Sequence, residues 1–137
     1  MPILRFKKML MSKKIKFDIE FIMHASPAFL FQYLSTPDGL SEWFADNVNS
    51  RSDVFTFIWD DSEEVARRIS HKTNEKIKYK WLEDEDEDTY FEFTIQVDDL
   101  TSDVSLIVTD FADEDEVDES KMFWENQIAE LKQTIGA

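Results

Sequence analysis

YFEFTIQVDDLTSDVSLIVTDFADEDEVDESKMFWENQIAELKQTI, residues 90–135, is the stretch that decides the fold. From Tyr90 to Val97, Phe91, Phe93, Ile95 and Val97 recur at every second position with Glu92, Thr94 and Gln96 between them. That is the period of a half-buried antiparallel strand. Val104 to Phe111 repeats the pattern. From Glu116 to Ile135 the period changes: Trp124, Ile128, Leu131 and Ile135 recur at spacings of four, three and four, one apolar stripe on a helix. A curved sheet with one long helix laid across it encloses an interior, and that interior is either filled by side chains or open to a ligand.

The same alternation runs upstream. Ile77, Tyr79 and Trp81 alternate with Lys76, Lys78 and Lys80, a two-faced strand, and Val54 to Trp59 sets Phe55, Phe57 and Trp59 on one face. Glu64 to Ser70 is weaker, with Val65 and Ile69 flanking Arg67. A short strand over Asn47 to Asn49 precedes a polar turn, Ser50 to Asp53. Ile15, Phe17, Ile19, Phe21 and Met23 form a first strand with one buried face. Ser26-Pro27 reads as a helix start, a hydroxyl N-cap before a proline whose missing N–H costs nothing there. That helix carries Phe29, Leu30, Tyr33 and Leu34; Thr36-Pro37-Asp38-Gly39 breaks it, and a second short helix carries Leu40, Trp43 and Phe44. The expected class is α+β: a curved antiparallel sheet of six or seven strands, two short helices after the first strand, and a long C-terminal helix across the sheet.

The 137 residues suit a single domain over residues 14–137. Residues 1–13 read as a disordered or artefactual extension: Arg5, Lys7 and Lys8 make it basic, no secretory pattern follows, and Met9 and Met11 are alternative starts. The chain carries 30 acidic against 15 basic side chains, a net charge of −15. Such a surface repels nucleic-acid phosphates and anionic headgroups, so no nucleic-acid partner is expected. No apolar run approaches the ~20 residues of a spanning helix, so stable membrane insertion is not expected either. With no cysteine there are no disulfides, thiolate metal sites or cysteine nucleophiles, and a reducing cytoplasm suits the chain. Glycine occurs only at Gly39 and Gly136, which leaves no glycine-rich phosphate loop.

Two acidic runs stand out, Glu83 to Asp88 and Asp113 to Asp118. The first lacks the glycine and ligand spacing of an EF-hand loop and reads as a solvated hairpin tip. The second precedes the last helix, where negative charge suits the N-terminal dipole, and Asp113 with Glu116 has capping-box spacing. His24 and His71 stand apart from carboxylates at ligand spacing, so no metal site, cofactor or catalytic set is expected.

The interior is where function is sought. Phe57, Trp59, Tyr79, Trp81, Phe91 and Phe93 converge on Trp124, Ile128 and Leu131 of the last helix, with Trp43 from the second. Two arrangements fit: the rings pack on one another as a core, or they line a partly open apolar pocket in which Tyr79 supplies a hydroxyl. Arg67 belongs to the second arrangement if it shares an inward face with Val65 and Ile69; it then needs an anion, a ligand carboxylate or Glu92. If it lies outward on a twisted edge strand, it needs none.

The order of strand, two short helices, antiparallel strands and long C-terminal helix resembles the START-like, helix-grip superfamily over roughly Lys14 to Ile135. The resemblance is carried by Ser26-Pro27-Ala28, by Leu40-Ser41-Glu42-Trp43-Phe44-Ala45, by Lys78-Tyr79-Lys80-Trp81 and by Trp124. The Leu-Ser-Glu-Trp-Phe element is similar to the second helix of bacterial START-like proteins and of the branch that activates a heat-shock-protein ATPase. Where many members have a glycine-rich loop between their second and third strands, this chain has Asn49-Ser50-Arg51-Ser52-Asp53. The resemblance implies non-enzymatic binding of a small hydrophobic or amphipathic molecule between sheet and helix. Its alternative is a protein-interaction module that docks a basic partner through the acidic surface. The oligomeric state is left open.

Overall fold

Ser26 and Thr36 each stand before a proline, and each opens a helix. In the computed structural model, which describes residues 14–137, the Ser26 hydroxyl accepts from the N–H of Phe29 at 3.2 Å and starts α1 (Pro27–Ser35). The Thr36 hydroxyl accepts from the N–H of Gly39 at 2.9 Å and starts α2 (Pro37–Ser41). The residue before a proline avoids helical backbone, so Thr36 ends one helix and caps the next. Thr36-Pro37-Asp38-Gly39 is therefore the first turn of α2 and no mere break, and Trp43 and Phe44 fall in the turn beyond it. The helices cross so tightly that a Cβ on Gly39 would lie 2.2 Å from the Gln32 carbonyl oxygen.

Seven strands form one sheet: β1 (Lys14–Met23), β2 (Asn47–Arg51), β3 (Val54–Trp59), β4 (Ser62–Lys72), β5 (Lys76–Trp81), β6 (Phe91–Val97) and β7 (Val104–Asp113). Their order is β1-β7-β6-β5-β4-β3-β2, with every neighbouring pair antiparallel. β2 to β7 is a run of consecutive hairpins, and β1 closes on β7. After β7, a 3₁₀ turn (Glu114–Glu116) leads into α3 (Val117–Ile135), whose Trp124, Ile128 and Leu131 join the buried cluster on the sheet. This is the α+β helix-grip arrangement. The expected extension over residues 1–13 lies outside the described residues.

Three local readings need correction. β2 runs on to Arg51, which pairs with Val54, so the polar turn shrinks to Ser52-Asp53 with Ser52 at φ 59°. A two-residue hairpin needs such a left-handed residue. Asp113 forms no capping box: no side-chain cap bond precedes the 3₁₀ turn, and its carboxylate lies 3.5 Å from the Lys14 ammonium across the β1–β7 ladder. In β4 the register shifts between Arg68 and Ser70, a bulge around Ile69. The inward side chains of β4 are then Glu64, Ala66 and Arg68, while Arg67 and Ile69 are exposed.

Candidate functional site

Ala66 is the small residue that lets the large ones meet. It pairs with Phe55 on one side and Trp81 on the other, and no part of it is exposed. Around it, Phe57 stands 5.3 Å from Trp81, Trp81 stacks on Phe91 at 5.0 Å, and Phe91 stacks on Tyr79 at 5.1 Å between ring centroids. Trp124 descends from α3 against Phe93 at 5.7 Å and lies nearly parallel to Phe44 at 5.7 Å. Trp43 meets Phe93 edge-on at 5.9 Å. Phe57, Tyr79, Phe93, Ile128 and Leu131 are 0 % exposed. With Trp124 they belong to one buried cluster, ring against ring.

The polar tips of these rings are also engaged within the fold. The last carbonyls of a helix lack intrahelical partners. At the end of α1, Trp43 Nε1 donates to the Tyr33 carbonyl at 2.8 Å and the Tyr79 hydroxyl donates to the Leu34 carbonyl at 2.7 Å. Trp59 Nε1 donates to the Phe44 carbonyl at 3.2 Å, and Trp124 Nε1 to Asp110 Oδ2 at 2.8 Å. Burial raises the Tyr79 hydroxyl well above its ordinary value of 10.0, against the opposing charge of Arg68. Tyr79 is thus a neutral helix cap, and its hydroxyl is not offered to a ligand.

An inward arginine does exist, one position on from the expected one. Arg68 Nη2 lies 2.7 Å from Asp53 Oδ1, and its guanidinium sits 6.0 Å from the Phe55 ring centroid. The anion that such a residue requires comes from the β2–β3 turn. Arg67 pairs with Val54 and Lys80 on the opposite face and does not line the interior. Glu64, buried opposite Phe57, is a further inward residue that the apolar alternation did not reveal. His24 and His71 are exposed, and among the described residues no three metal-ligating side chains are grouped to hold an ion.

Where the turn after α2 meets α3, the surface opens into a cleft of about 600 Å³. Its floor is Trp43, Phe44 and Ala45, all buried, with the half-buried Trp59 as a wall. Its rim holds Glu42, Asp46, Asn126, Gln127 and Glu130. The Phe44 carbonyl ties the two sides together, accepting from Gln127 Nε2 at 3.1 Å as well as from Trp59. Of the residues expected to line a pocket, Trp43 and Trp59 reach this cleft; Phe57, Tyr79, Phe91, Phe93, Trp124, Ile128 and Leu131 belong to the buried cluster, and the half-buried Trp81 packs against it. Sequence reasoning did not single out Glu42, Asp46 or Glu130 as site residues, because no local pattern joins them.

A family model described as a START-like superfamily domain matches residues 11–137. The chain belongs to the START-like superfamily. START-like proteins are typically ligand-binding or Aha1-like modules. Among solved structures, this START-like chain is similar to a protein from Bacteroides fragilis, at 35 % identity over 90 % of this chain and 92 % of the other, with a TM-score of 0.66. Its fold is also that of the Aha1 dimer from Colwellia psychrerythraea, at 16 % identity, 86 % and 93 % coverage and a TM-score of 0.73. A protein from Mesorhizobium loti gives 16 % identity, 89 % and 97 % coverage and 0.72. A comparison with curated proteins finds no match. No helix among the described residues is long and apolar enough to cross a membrane.

Proposed function

We propose that this START-like chain is a non-enzymatic binding module that holds a small amphipathic molecule at the seam between sheet and C-terminal helix. The site is the cleft beside Trp59, next to the buried aromatic cluster. The observation that carries the reading is the cleft's composition: an aromatic floor and wall beneath a rim of three carboxylates and two amides, with no cation among the described residues that line it. Its volume falls within the 300–1,000 Å³ typical of small-molecule sites. An aromatic or aliphatic body would rest on Trp59 and Phe44, the apolar part of the affinity coming from area removed from water at about 25 cal/mol per Å². A cationic or donor group would face Glu42, Asp46 and Glu130, whereas a free carboxylate or phosphate would be repelled. The cysteine-free composition suits work in a reducing cytoplasm.

Amide chemical-shift mapping with phenethylamine and with 3-phenylpropionate tests this. The amine should move the signals of Ser41–Asp46 and Asn126–Glu130, and the acid should leave them in place. Equal response to both probes, or shifts centred on Tyr79 and Phe93, would place binding elsewhere and end the reading.

A second reading, docking of a protein with a basic surface, is favoured by a different observation: the β6–β7 loop combines three aspartates with a fully presented leucine.

A further inference from the structure

The cleft beside Trp59 spends most of its hydrogen-bond donors on its own walls. Trp59 Nε1 and Gln127 Nε2 both donate to the Phe44 carbonyl, at 3.2 and 3.1 Å. Trp43 Nε1 donates to the Tyr33 carbonyl at 2.8 Å. The Ser41 hydroxyl donates to the Pro37 carbonyl at 2.7 Å and accepts from the Val48 N–H at 3.0 Å. The backbone does the same: the N–H groups of Glu42, Trp43, Phe44 and Ala45 all donate to the carbonyls of Gly39 and Leu40. Those of Asn126, Gln127 and Glu130 lie inside α3, where the helical ladder takes them. What remains on the lining is chiefly acceptors. The carboxylates of Glu42, Asp46 and Glu130 are exposed and form no ion pair with another described residue. The oxygen of the Gln127 amide adds to them, and Asn126 supplies a donor and an acceptor alike. The two sides are tied together twice, by Gln127 on the Phe44 carbonyl and by Thr134 Oγ1, which donates to the Glu42 carbonyl at 3.4 Å.

We infer that the small molecule read into this cleft carries a guanidinium group, an inference that rests on that reading and names its ligand class. Charge alone does not rank one cation above another, but an acceptor-rich lining rewards the number and spread of N–H groups. A guanidinium offers five in one plane, a primary ammonium three about a point, and a quaternary ammonium none. The carboxylates come from two elements, Glu42 and Asp46 beyond α2 and Glu130 on α3, so a flat fork reaches both sides where a point charge favours one. A guanidinium is also more weakly hydrated than an ammonium and rests readily on aromatic surface. Giving up water beside Trp59 and Phe44 therefore costs it less.

The test is a set of amide chemical-shift titrations with three cations on one body: phenethylguanidine, phenethylamine and phenethyltrimethylammonium. The guanidine should bind with a Kd about tenfold or more below that of the trimethylammonium compound, with the amine between them. Glu130→Ala changes an exposed side chain and should unfold at the wild-type temperature. In that variant the guanidine should lose more affinity than the trimethylammonium compound, because it loses hydrogen bonds as well as charge. Equal affinities, an amine tighter than the guanidine, or equal losses in Glu130→Ala would overturn the guanidinium assignment and leave the cation-binding cleft standing. Cleft shifts with a capped Gly-Arg-Gly peptide but with none of the three small cations would keep the guanidinium and assign it to a protein's arginine, overturning the small-molecule reading. No cleft shift with any of the four probes overturns both.

Discussion

Tyr79 is a core residue whose hydroxyl has a structural task. Tyr79→Phe keeps the ring stack on Phe91 but strands the Leu34 carbonyl in a buried setting, which costs about 1–3 kcal/mol. Urea unfolding should show that loss in the midpoint with little change in slope. The same residue has a pH signature. Its folded pKa is raised above the ordinary 10.0 by burial, so its contribution is complete below about 10 and fades as pH rises above that value. Wild type should therefore lose stability more steeply above pH 10 than Tyr79→Phe, and parallel alkaline titrations would contradict the assignment. Gly39 is constrained by space: an added Cβ meets backbone of α1 on two sides, the Gln32 oxygen and the Tyr33 Cα at 2.6 Å. Gly39→Ala should cost at least the 1–3 kcal/mol of ordinary overpacking, read as a lower thermal midpoint.

Among the elements, α3 was the most legible and β4 the least. Trp124, Ile128 and Leu131 face the sheet as their spacing requires, because a helix of nineteen residues presents one face with little room for ambiguity. Trp124→Ala should destabilise by about 3–5 kcal/mol, since it vacates contacts with Phe44, Phe91 and Phe93 together; unchanged stability would contradict the packing. β4 misled because Val65 and Ile69 look like a buried pair around Arg67, while the true inward set includes only one apolar residue, Ala66. The bulge at Ile69 then ends strict alternation. The acidic hairpin between β5 and β6 is organised from within by Lys80, whose ammonium donates to the Asp86 carbonyl and to Thr89, at 2.8 Å to its carbonyl and 2.9 Å to its hydroxyl. Asp84 is pushed up by partial burial, but bonds from Thr89 and the Asp86 N–H, with the Lys80 charge, leave it below its ordinary value. Its support is present above the unfolded value and is lost as pH falls through the folded one. Hydrogen-exchange protection factors of the 83–89 hairpin, corrected for intrinsic rates, should therefore fall below about pH 4, and Asp84→Asn should remove most of that dependence.

For the molecule as a whole, 30 acidic groups against 15 basic ones mean self-repulsion in the folded state. Raising sodium chloride from 20 to 300 mM shortens the Debye length from roughly 20 to 6 Å. The thermal midpoint should rise as a result, and a midpoint that fell with salt would mean attractive pairs outweigh the excess charge. The class of the fold was readable in advance. Alternation and helical spacing are properties of neighbours along the chain, and they determined the strands, the long helix and the α+β class without any contact being known. The START-like order followed from the sequence of those elements. What only the tertiary structure decided was which rings meet one another and the place of a surface cleft. A row of inward aromatics is the same string whether the rings line a void or close it, because the space between sheet and α3 is set by residues far apart in sequence. Glu42, Asp46 and Glu130 belong to one cleft for the same reason: nothing local links the turn after α2 to the middle of α3 until the Phe44 carbonyl receives Trp59 and Gln127 together.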